Sequence, residues 1–146
     1  MTDSSPGRSE FDALFAQATA ASGAFGHRQH VHLTWLAVRS MGVAAATDLI
    51  ADGIRTIAAR AGAPQKYHAT ITRAWVQLVA FHVDQTPGDT FDEFAAAHPA
   101  LLDPHVLTHY YWPATLAGQD ARSHWVEPDR APLPHRPDDL SDLATR

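Results

Sequence analysis

His27 and His30 stand one helical turn apart in the run Phe25-Gly26-His27-Arg28-Gln29-His30-Val31-His32. Side chains at i and i+3 share a helix face, so both imidazoles can address one point, whereas His32 points away from it. A third imidazole, His68, opens a later segment, Tyr67-His68-Ala69-Thr70-Ile71-Thr72, with Thr72 one turn below it. Three neutral imidazoles around one point suit a divalent transition metal such as iron, zinc or copper. Such an ion lowers the pKa of a bound water, or holds O2 or substrate at its open positions. His27, His30 and His68 are therefore the expected metal ligands. The alternative is that the same rings hydrogen-bond helix ends or loop carbonyls and serve the fold.

A second constellation lies further on, in His109-Tyr110-Tyr111-Trp112 and then Arg122-Ser123-His124-Trp125-Val126-Glu127-Pro128-Asp129. Dense aromatics with a histidine, an arginine and two carboxylates suit a pocket wall. In an extended stretch, Glu127 and Asp129 fall on the same side because side chains alternate. Either could complete a site of two histidines and a carboxylate, or orient a ligating imidazole from behind. The expected catalytic groups are Glu127, His109 and Thr72, and the expected substrate contacts are Tyr67, Tyr110, Arg122 and Asp129. The opposing reading makes Trp112 and Trp125 core plugs, with Glu127 or Asp129 capping a helix or pairing with Arg122. His82, His98, His105 and His135 read as surface or cap residues.

The elements that must position these groups are helical. Apolar residues recur at helical spacing from Ser9, a candidate N-cap, to about Ala21. The pattern repeats from about Gly26 to Arg39, Val43 to Ala61 and Lys66 to Asp84. Gly23, Gly42 and Pro64 punctuate them. Thr90 with Glu93 forms a capping box for a short helix over Phe91 to Ala97, and Asp103-Pro104 opens another turn reaching about Tyr110. No stretch alternates with period two. The expected fold is all-α, an antiparallel helical bundle of four main helices plus short C-terminal helices and an extended tail. The expected organisation is a flexible N-terminus over 1–8, one helical domain over 9–130 and a Pro-rich tail over 131–146. In an up-and-down bundle the second and fourth helices run parallel, which would bring His27, His30 and His68 to one end. Helix N-termini there disfavour imidazolium and keep the rings neutral.

At 146 residues the chain is one domain's worth, and with no cysteine it cannot build disulfides, thiolate zinc sites or a cysteine nucleophile. A net charge of −5 and a pI near 6.0 leave no basic surface for nucleic acid. The start shows no signal pattern and no apolar run reaches membrane-spanning length, so a soluble cytoplasmic protein acting on a small molecule is expected, without a membrane or nucleic-acid partner. Ten histidines are many for this length, and protonating all of them would move the charge from −5 to about +5.

The motifs F-x-H-x-x-H, Y-H-x-T-x-T, H-Y-Y and W-V-E-P-D, spread over about Phe25 to Pro134, resemble those of a family of small bacterial all-α proteins without an assigned activity. The resemblance implies that His27, His30, His68, Thr72, His109 and Glu127 belong to one site. Members commonly carry an acidic residue after the middle histidine, where this chain has Ala69. Any scheme needing a carboxylate there would fail in this chain.

Two functions are compatible with these residues. One is a small metal-dependent enzyme, its His-ligated ion assisted by Glu127 or His109. The other is a non-catalytic helical module that binds a small ligand or a protein partner, with the aromatics as its pocket. A metal-free scheme with His68 as general base lies between them.

Overall fold

Of the four long helices, the second is capped by Gly26 and Gly42, and Gly42 also opens the third. The computed structural model describes residues 6–134 except Pro87, and every regular element among them is helical. Helix α1 runs Pro6–Thr19, α2 His27–Met41, α3 Val43–Arg60 and α4 Ala69–Gln85. Short helices α5 (Phe91–Ala97), α6 (Pro113–Ala117) and α7 (Gln119–Ser123) follow. Short 3-10 segments lie at Pro64–Lys66, Pro99–Leu102 and Pro104–His109. Gly42 joins α2 to α3 at φ +86°, a conformation that a side chain would strain, and its N–H bonds the Val38 carbonyl at 2.9 Å.

The first helix begins at Pro6, so Ser9 lies inside it rather than capping it. Proline's fixed φ and missing N–H suit a first turn. Residues 1–5 of the expected flexible N-terminus, like 135–146 of the expected tail, lie outside the described residues. The capping box of α5 is present: Thr90 Oγ1 accepts from the Glu93 N–H at 3.2 Å, and Glu93 Oε1 accepts from the Thr90 N–H at 3.3 Å. Asp103 Oδ1 likewise accepts from the His105 N–H at 2.9 Å and heads the turn Pro104–His109.

Four packed helices, α1–α4, build the bundle, and α2 and α4 carry apolar residues on two faces each. On one side Leu33 and Ala37 of α2 and Val76 of α4 meet Phe11 and Ala18 of α1 and Ala46 and Ile50 of α3. On the other, Val31, Trp35, Trp75, Leu78 and Val79 meet Phe91, Phe94, Leu101, Leu107, Tyr111 and Leu133 from the C-terminal third. The chain after α4 therefore forms a third layer that seals the second core. Gly53 permits close approach of α1 to α3, because a Cβ there would stand 2.1 Å from the Phe11 ring.

Trp35, Ile50, Trp75 and Leu78 are buried as their helical stripes require, whereas Ile54 is only half-buried, near the edge of the α1–α3 core. Ile50→Ala should therefore cost about 2–5 kcal/mol in denaturant unfolding, and Ile54→Ala should cost clearly less. Leu133, 6% exposed, belongs to the second core, and the Ala131 N–H bonds the Tyr110 carbonyl at 3.3 Å. The packed chain thus reaches beyond the 130 boundary expected for the domain. Among the described residues, no helix is long and apolar enough to cross a membrane.

Candidate functional site

His68 is the N-cap of α4. The preceding 3-10 turn delivers it in extended backbone, and its Nδ1 accepts the Ile71 N–H at 3.1 Å. Its Nε2 donates to the Leu116 carbonyl at the end of α6, 2.7 Å away. Both ring nitrogens are engaged, which fixes the neutral Nε2–H tautomer and leaves no lone pair for an ion. Burial also lowers the pKa of this ring, against the opposing pull of the Leu116 bond. His27, first residue of α2, makes a 2.9 Å hydrogen bond through Nε2 with the Leu101 carbonyl and lies edge-on to Trp75, ring centroids 4.6 Å apart. These are the bonds of rings that tie loops to helices.

The stagger of α2 against α4 explains why three histidines do not gather. His27 rests on Trp75, while Trp35, two turns on, reaches Phe94, which touches His98 and through it His82 of α4. The two helices thus run in the same direction, but α2 starts level with Trp75. Seven residues, about 10 Å of helical rise, separate that level from His68. Among the described residues, no group of three or more His, Asp or Glu is placed to hold a metal ion.

His30 is the unusual member. Its Nε2 is sealed from solvent and has no hydrogen-bond partner among the described residues, and the centroid of its ring lies 6.0 Å from that of Phe25 and 6.4 Å from that of His27. Burial, and secondarily the charge His27 can carry, push its pKa down to about 4. Thr72 is buried on α4, its N–H bonded to the His68 carbonyl at 3.0 Å.

The second constellation also serves packing. Asp129 accepts the Trp112 N–H at 3.1 Å and the Thr115 hydroxyl, so it braces the start of α6; the Thr115 bond is the main cause of its lowered pKa. Glu127 accepts Trp125 Nε1–H at 2.8 Å on the surface. Arg122 donates to the Gln65 carbonyl at 3.2 Å, and the Arg55 guanidinium stacks 4.8 Å over the Tyr67 ring. His109 is exposed at the end of its turn. Trp125 is a half-buried plug under Arg73, but Trp112 is not: half of it is exposed, with Arg130 stacked on its ring at 4.3 Å. The fully buried Tyr111 donates its hydroxyl to the Val126 carbonyl at 2.7 Å, and Thr70 bridges His124 and Val126 to α4.

A different pair of histidines lines a cavity. Leu78 and His82 of α4, Ala97 of α5, His98 to Leu101, Val106 and Tyr110 enclose a recess of about 260 Å3. The His82 and His98 rings are 4.5 Å apart; His98 Nε2 meets the Thr86 hydroxyl, while His82 makes no hydrogen bond among the described residues. Burial lowers the pKa of both, and His98 lowers that of His82 further. Both had read as surface or cap residues, yet the sequence held a signal. Ile71, Trp75, Leu78 and His82 follow at i, i+4, i+7 and i+11, which places His82 on the apolar stripe of α4. Tyr110 is the one expected substrate contact that lies on this recess. No family model matches the chain, and neither a curated protein nor a solved structure does.

Proposed function

We propose that this protein is a non-catalytic helical module that binds a small molecule in the recess between α4, α5 and the two 3-10 turns that follow. The observation carrying this reading is the recess itself, where two neutral imidazoles and Tyr110 interrupt an otherwise apolar wall. Ligand sites are commonly apolar hollows with a few polar groups of this kind. Ala97 stands at the recess and is exposed, so Ala97→Trp should close the opening without replacing a core residue. Protein-detected NMR with a set of small, weakly polar compounds should give saturable shifts at Leu78, Leu101 and Val106 that vanish in Ala97→Trp. Shifts that persist in that variant, or none at these residues, would refute the assignment.

The second reading is the His-ligated metal-dependent enzyme, with iron, zinc or copper as its ion. The unpartnered Nε2 of His30 beside His27 favours it. It requires a third donor, which His68 does not offer in its N-cap tautomer.

A further inference from the structure

We propose that the ligand of this recess is a small uncharged aromatic hydroxy compound of the phenol type, its hydroxyl on the His82 ring and its carbon ring against Leu78, Leu101 and Val106; this rests on the reading of the recess as a ligand site. Size sets the first limit. A dry cavity of about 150 Å3 already accommodates benzene, so about 260 Å3 takes a small aromatic compound such as one substituted ring and is too small for a nucleotide.

Charge sets the second limit. Among the described residues, no Arg, Lys, Asp or Glu lines the recess. A carboxylate, phosphate or ammonium entering it would lose hydration without meeting a counter-ion, and that desolvation is costly. Among the described residues, the polar side chains on it are those of His82, His98 and Tyr110. His98 has its Nε2 bonded to Thr86, whereas neither ring nitrogen of His82 is bonded among the described residues, so His82 is the imidazole with both nitrogens open to a ligand. A neutral imidazole has one N–H and one bare nitrogen on different sides of the ring, and a ligand hydroxyl can donate to the bare one. Burial and the neighbouring His98 hold His82 in that neutral form, so its bare nitrogen is available as an acceptor near neutral pH.

The apolar walls set the third limit. Leu78, Ala97, Pro99, Ala100, Leu101 and Val106 surround the rest of the space. They favour a flat hydrocarbon ring over a sugar or polyol, whose further hydroxyls would be buried without partners.

The test is an NMR titration of the full chain near neutral pH with five probes used separately: phenol, anisole, toluene, benzoate and benzylamine. Phenol is expected to shift the lining residues and to bind about fivefold more tightly than anisole or toluene, the difference one hydrogen bond makes. Benzoate and benzylamine are expected to bind more weakly still. His82→Phe should reduce phenol to the level of toluene while its own melting temperature confirms folding. The phenol–anisole comparison in the unaltered protein stands even if that variant fails to fold. Equal binding of phenol and anisole, or preference for benzoate or benzylamine, would overturn the ligand class while leaving a binding module in place. If none of the five shifts the lining residues, both the class and the module reading fall.

Discussion

Between pH 6.5 and pH 4 the protein should lose about 3 kcal/mol of stability through His30 alone. The folded pKa of this ring lies below its unfolded value, so the unfolded chain binds the extra proton first. The His30 contribution is complete above about 6.5, fades as pH falls, and is gone near 4. His32, His68, His82 and His98 are shifted in the same direction, each chiefly by burial, and add to the same acid limb. Urea unfolding at several pH values should show the midpoint falling steadily across this window. In His30→Leu the limb should be shallower, and stability near pH 8 should be unchanged or higher, because a buried nitrogen without a partner is removed. A wild-type midpoint that is flat from neutral to pH 4.5 would contradict the burial of His30.

Replacing His68 with alanine should destabilise the fold by about 2–4 kcal/mol. The loss combines the N-cap of α4, worth about 0.5–2 kcal/mol, with the Leu116 carbonyl left without its donor. His68→Asn separates the two effects. Asparagine is a good N-cap, so it should restore the cap at Ile71 but cannot span the distance to Leu116. Thermal unfolding should therefore rank wild type above His68→Asn and His68→Asn above His68→Ala. Two equally damaged variants would show that the cap contributes little.

The helical periodicity that made α2, α3 and α4 legible also located Trp35, Ile50, Trp75 and Leu78 in the core, because a stripe on an amphipathic helix reports what it packs against. The capping residues Thr90, Glu93 and Asp103 were legible for the same local reason. The axial stagger of α2 against α4 was not, since no i, i+3 pattern within one helix encodes its height beside another. That offset separates His68 from His27, although both sit at helix starts as their spacing implied. The roles of Asp129 and Trp112 were equally hidden, because both depend on how the extended segment after α7 folds back over α6. His82 shows the opposite case: its position on the α4 stripe was written in the chain, and only the wall opposite it came from elsewhere.

Whether the early histidines serve the fold and the ligand lies at His82 can be read from the imidazole nitrogens themselves. Long-range 1H–15N spectra of the untagged full chain should be recorded before and after one equivalent of zinc. His68 is expected to be locked as the Nε2–H tautomer and His30 to be neutral at pH 6, with His27, His30 and His68 not shifting together on zinc addition. Simultaneous shifts of all three, with stoichiometric metal lost in His27→Ala/His30→Ala, would contradict that expectation and restore the metal site.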